Sequence, residues 1–142
     1  MLRFTKRADY GLMAIHYIAT HDDLGAVSTK RIAEEFGIPP ELLAKILQRL
    51  AKRRLIVSQN GPKGGYVLTR HPADISVGEV VRALEGPISI VSCLDGAGCP
   101  QETRCNLKRP VQKLQRAISQ LLDTMSLAEL SNQSVPDVLS IK

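Results

Sequence analysis

The three cysteines of the chain, Cys93, Cys99 and Cys105, fall in one run, CLDGAGCPQETRC, with five residues between successive thiols and no cysteine elsewhere. Gly96, Gly98 and Pro100 keep this run out of a regular helix or strand, so the thiols can converge from a loop. Three gathered thiolates suit a soft metal or an iron–sulfur cluster, with a fourth ligand supplied from elsewhere. The same residues would also serve as free thiols, or as one disulfide with a thiol left over. No histidine is near them in sequence, and His16, His21 and His71 have no triad-like setting, so an enzyme with a cysteine nucleophile is not expected.

The elements that must position these residues are legible in the rest of the chain. At 142 residues and 44% hydrophobic content it can bury a real core, and with 4% aromatics that core must be aliphatic. No apolar stretch approaches the ~18 residues of a membrane span, and the start, MLRFTKR, lacks a signal-peptide core. A cytoplasmic protein with reduced thiols, not membrane-bound, is the expectation. Residues 1–72 carry twelve Lys/Arg against six Asp/Glu, and residues 73–142 carry seven against eight. A polyanion partner is thereby suggested for the first half alone.

Thr5 is placed to cap a helix reaching about Thr20, and Ser28 a short helix over Thr29–Phe36 that Gly37 ends. Pro40 opens a third helix to about Arg53, with Leu43, Ile46, Leu47 and Leu50 as its buried stripe. Two short helices joined by a tight turn, the second outwardly basic, form a helix-turn-helix pattern. Leu55–Gln59 and Tyr66–Thr69 read as strands about a turn at Asn60–Gly65. That order is a winged helix: the second helix enters the major groove, and the hairpin approaches the backbone or minor groove. At the tip, Lys63 supplies charge, while Gly64 and Gly65 allow close approach to phosphate.

Ser76 and Glu79 form a capping box for a helix to about Leu84, stopped by Gly86-Pro87. After the cysteine run, Leu107, Val111, Leu114, Ile118, Leu121, Leu122 and Met125 mark a long helix beginning near Lys108 or Arg109. A helix of this length, apolar along one stripe, suits a dimer seam, and a two-fold dimer suits a palindromic operator on double-stranded DNA. Ser126 and Glu129 form a second capping box, and a polar tail follows. The fold class is therefore mainly α with a small β-hairpin wing. Residues 1–72 form the DNA-binding unit, 73–106 a connecting helix and cysteine loop, 107–130 the dimerisation helix and a terminal turn, and 131–142 a tail.

With these pieces in order, the chain resembles the IscR/NsrR-type family of iron–sulfur winged-helix transcription regulators over essentially its full length. The carrying residues are TKRADYGL at 5–12, GPKGGY at 61–66, ISVGEV at 75–80, the cysteine run and SLAEL at 126–130. The resemblance implies a homodimer, a repressor, whose cluster occupancy sets DNA affinity. It also implies a fourth ligand. The [2Fe–2S] subgroup has a His three residues past the last Cys, where this chain has Lys108. The nitric-oxide-sensing [4Fe–4S] subgroup uses an Asp in the first helix of the other protomer, and Asp9 stands at the matching place. A [4Fe–4S] cluster on Cys93, Cys99, Cys105 and the partner's Asp9 is thus favoured, although a carboxylate in a first helical turn is also favourable without any metal. Zinc binding or thiol–disulfide chemistry on the same fold is the alternative.

For DNA, the resemblance assigns groove contact to Pro40, Glu41, Leu42, Ala44 and Lys45. Ser28 and Thr29, at a helix N-terminus, suit a phosphate. Asn60 occupies a wing position where some members insert an Arg into the minor groove. Arg49, Lys52, Arg53 and Arg54 are basic but not assigned to DNA, pairing of Arg49 within the fold being the alternative to contact.

Overall fold

The first helix, α1 (Lys6–Thr20), begins where the Thr5 side chain accepts the Ala8 N–H at 3.2 Å. Ala8, Gly11, Ala14, Ile15 and Ile18 recur at helical spacing and are all buried, so one stripe of α1 forms the centre of the molecule. In the computed structural model, the described residues are 5–21, 25–61, 64–88 and 108–131. The cysteine run, Lys63 and the tail from 132 onward lie outside them.

Helix α2 (Thr29–Phe36) is capped by Ser28, whose hydroxyl accepts the Arg31 N–H at 3.1 Å, and ends at Gly37 with φ of 65°. That left-handed conformation carries no Cβ penalty in glycine. Helix α3 (Pro40–Lys52) has Pro40 at its first position and buries Leu43, Ile46, Leu47 and Leu50, the expected stripe. Strands β1 (Ile56–Gln59) and β2 (Gly65–Leu68) pair antiparallel, with Ile56 opposite Leu68 and Gln59 opposite Gly65.

Val27 adds a third, single-residue rung to this wing. Its N–H donates to the Tyr66 carbonyl at 3.0 Å and its carbonyl accepts the Tyr66 N–H at 2.8 Å. Strand β1 starts one residue later than expected, because Arg54 adopts φ of 61° and turns the chain between α3 and β1, while β2 both starts and ends one residue earlier, taking in Gly65 and leaving out Thr69. Leu55 then drops into the core, and its carbonyl accepts the Thr69 N–H at 3.2 Å.

A 3₁₀ turn at Pro72–Asp74 leads to α4 (Val77–Glu85), where both halves of the Ser76/Glu79 capping box are present. The long helix α5 (Lys108–Thr124) and the short α6 (Leu127–Ser131) complete the described chain. The α5–α6 junction is stitched to the start of α4 by two backbone bonds: Val77 N–H to Met125 O at 2.8 Å, and Leu127 N–H to Ile75 O at 2.9 Å. Arg82 and Asp123 add a two-pronged ion pair at 2.7 and 2.9 Å across the same seam.

One core unites these elements: Ile15 and Ile18 of α1, Leu43 and Leu47 of α3, Ile75, Val80 and Leu84 around α4, and Leu127 of α6. Helix α5 contributes differently. None of its described side chains is buried, and Leu114, in the middle of its apolar stripe, is 51% exposed.

Candidate nucleic-acid interface and cysteine run

The face expected to meet DNA is built from α2, α3 and the wing. On α3 the buried stripe leaves Glu41, Lys45, Gln48 and Lys52 as the outermost ridge, at i, i+4, i+7 and i+11, all exposed. Leu42 is 37% exposed on one flank and Ala44 half-buried on the other. Beside Ala44 an open groove separates α2 from α3. Its walls include Thr29, Lys30 and Glu34 on one side and Pro40 and Glu41 on the other.

Lys30 and Glu34 were not among the residues singled out in the sequence. The signal that could have found them is the helical period of α2, which puts positions 30, 33, 34 and 37 on one face. Thr29 stands at the first position of α2, while the Ser28 hydroxyl is already engaged as its cap.

At the wing, Asn60 and Gly61 are exposed. Gly64 and Gly65 have requirements of their own within the hairpin. A Cβ at Gly65 would lie 2.3 Å from the Val27 carbonyl oxygen, and one at Gly64 2.8 Å from that of Gln59. Both glycines are therefore demanded by the closure of the wing and its rung to Val27, whatever the wing touches. Lys63 lies outside the described residues.

Cys93, Cys99 and Cys105 likewise lie outside the described residues, so what can be placed of the expected ligand set is Asp9. It is exposed, in the first turn of α1, where the unsatisfied N–H groups favour a carboxylate. Its carboxylate pairs with no other described residue, and Met13, one turn on, is exposed on the same side of α1. Among the described residues, no group of three or more His, Cys, Asp or Glu is arranged to hold a metal ion. Nor, among them, is any helix long and apolar enough to cross a membrane.

Arg49 is turned away from the α3 ridge, and its guanidinium donates to the Leu84 carbonyl at 3.1 Å. The guanidinium of Arg7 donates to the same oxygen at 3.2 Å. Arg7 also stands 4.0 Å from Glu85, and the Thr5 hydroxyl donates to Glu85.

A helix-turn-helix continued by a three-rung wing, with a basic, solvent-facing second helix, defines a winged-helix DNA-binding protein. The chain belongs to the Rrf2 family of iron-dependent transcriptional regulators, whose family model matches residues 4–133. Among curated relatives, it is 34% identical over 139 residues to the HTH-type transcriptional regulator IscR of Sodalis glossinidius, covering 97% of this chain and 84% of the relative. Among solved structures, it is similar to CymR, the global cysteine regulator of B. subtilis, with a TM-score of 0.80 and 30% identity over 95% of this chain and 100% of that one. It is also similar to T. potens IscR, with a TM-score of 0.72 and 29% identity over 99% of this chain and 97% of that one. The chain is thus a DNA-binding transcriptional regulator with the winged-helix fold of that family.

Proposed function

We propose that this chain is a homodimeric regulator, acting as a repressor, whose affinity for a palindromic operator is set by an iron–sulfur cluster on Cys93, Cys99 and Cys105, with the partner's Asp9 as fourth ligand. The observation that carries this reading is the cysteine run itself, three thiols and no others, in a chain of an iron-dependent regulator family. Asp9, exposed and unpaired among the described residues, supports the fourth ligand, and Lys108 in place of a His supports [4Fe–4S] over [2Fe–2S]. The donor set of three soft thiolates and one displaceable carboxylate fits such a cluster. Bound there, it would supply a centre reactive toward nitric oxide, oxygen or redox stress.

The chain's own part is geometric. Helix α5, about 25 Å long, with none of its described side chains buried and Leu114 exposed on its apolar stripe, serves as the dimer seam. Ligation by thiols of one protomer and the partner's Asp9 ties the cysteine run to the other protomer's α1. The separation of the two α3 helices then follows the state of that run, and it must match the half-site spacing of the operator. Contact is assigned to Ser28, Thr29, Pro40, Glu41, Leu42, Ala44 and Lys45, and at the wing to Asn60, Lys63, Gly64 and Gly65.

Anaerobic purification tests the reading: a brown protein containing iron and sulfide, whose operator affinity changes when the cluster is removed at fixed salt, is the expected result. Protein that stays colourless and metal-free after reconstitution overturns it. Stoichiometric zinc, or an affinity governed by a disulfide, would instead establish a zinc- or thiol-responsive regulator on the same fold. The likeness to CymR, a cysteine regulator, is the reason to measure thiols alongside iron.

A further inference from the structure

Two guanidinium groups from different helices converge on one backbone oxygen. Arg49 of α3 donates to the Leu84 carbonyl at 3.1 Å, and Arg7 of α1 donates to it at 3.2 Å. That oxygen belongs to the last turn of α4, where carbonyls lack helical partners and the helix dipole favours positive charge. Glu85, the final residue of α4, is held in turn by Arg7 and by the Thr5 hydroxyl. Beneath this junction the Leu84 side chain is fully buried against Gly11 of α1, close to Ile46 of α3. The end of α4 is therefore fixed from above by two arginines and from below by the core. In the sequence, eight residues later comes Cys93.

We infer that Arg49 is a positioning residue: it sets the angle of the DNA-reading helix against the end of α4, through the Leu84 carbonyl that Arg7 shares, and does not bind DNA phosphate. Its place on α3 agrees. The solvent ridge of that helix is Glu41, Lys45, Gln48 and Lys52, and Arg49 lies on the flank facing α4. Any shift of the α4 exit, where the chain departs for the cysteine run, is transmitted to α3 through this shared oxygen. In this last respect the inference deepens the function proposed above and rests on it.

The test is a titration of duplex operator DNA by the full-length protein and its Arg49→Gln, Arg49→Lys and Arg7→Gln variants over a range of salt, with amide hydrogen exchange on the same samples. A positioning role predicts that Arg49→Gln weakens binding about fivefold at every salt concentration, the scale of one net hydrogen bond, with an unchanged salt slope. Amides at the end of α4 and in the second half of α3 should exchange faster together in Arg49→Gln and in Arg7→Gln. Arg49→Lys, which keeps one donor, should recover part of the loss. A salt slope reduced by ~0.9, as for one lost phosphate contact, with unchanged exchange overturns the inference. So does a variant that binds and exchanges like the parent. If instead the parent's affinity ignores its iron and sulfide content, the proposed cluster function fails while the Arg49 result stands or falls by its own slope and exchange.

Discussion

Replacing Gly11 by alanine should destabilise the protein, against the preference of the helix that contains it. In a helix interior alanine is favoured over glycine by roughly 1 kcal/mol, so propensity alone gives a gain. The structure opposes it. A Cβ at position 11 would lie 2.1 Å from Leu84 Cδ1 and 3.4 Å from Ile46 Cγ2. Carbon atoms rest at about 3.5–4 Å, so the leucine must retreat by roughly 1.5 Å within a core where it is 1% exposed. Overpacking of this kind costs about 1–3 kcal/mol, which leaves a net loss of about 1 kcal/mol. Leu84→Ala alone should cost about 3 kcal/mol. With the leucine gone the new methyl keeps only an ordinary contact with Ile46, so Gly11→Ala in the Leu84→Ala background should turn favourable, a coupling of about 2 kcal/mol between the two sites. Urea unfolding of the four proteins at one fixed protein concentration measures it, since subunit association would make the midpoint concentration-dependent. A Gly11→Ala midpoint higher than the parent's would refute the packing argument and leave propensity in command.

Three further outcomes are expected. Arg54 adopts a left-handed φ of 61° with an ordinary side chain, so Arg54→Gly should raise the unfolding free energy by about 0.5–1 kcal/mol, read as a higher urea midpoint, after the flexibility glycine gives the unfolded chain is subtracted; an unchanged or lower midpoint would show that the arginine has a compensating contact. The Arg82 guanidinium, hydrogen-bonded to Asp123, holds that carboxyl below its ordinary value, so this pair's stabilisation is present above the usual carboxylate range and is lost as pH falls through the lowered value. Asp123→Asn should flatten that acid limb of the stability curve, and an identical limb in both proteins would remove the pair from the account. Asp9→Ala should lower the iron and sulfide retained after anaerobic purification while shifting stability by only about 0.5 kcal/mol, the worth of an exposed carboxylate at a helix start; retention equal to the parent's would reject Asp9 as a ligand and leave the three thiols in question untouched.

What the sequence determined by itself was local. Thr5, Ser28 and Ser76 cap the helices they were expected to cap, because a hydroxyl next to an N-terminal turn satisfies free N–H groups whatever lies further away. The buried stripe of α3 and the order of helix, turn, helix and hairpin follow from periodicity and turn residues in the same way. The elements that carry the expected DNA contacts, α2, α3 and the wing, were therefore legible. The tertiary structure alone decided which long-range groups meet: Val27 with Tyr66, the start of α4 with the α5–α6 junction, Arg82 with Asp123, and Arg7 and Arg49 with the Leu84 carbonyl. A backbone carbonyl has no signature in sequence, and an arginine reads the same whether it will face a phosphate or a helix end. The glycines divide along the same line. Gly37 could be read as a helix stop from its neighbours, whereas Gly11 and Gly65 are glycine because of a leucine and a carbonyl that only folding brings within reach.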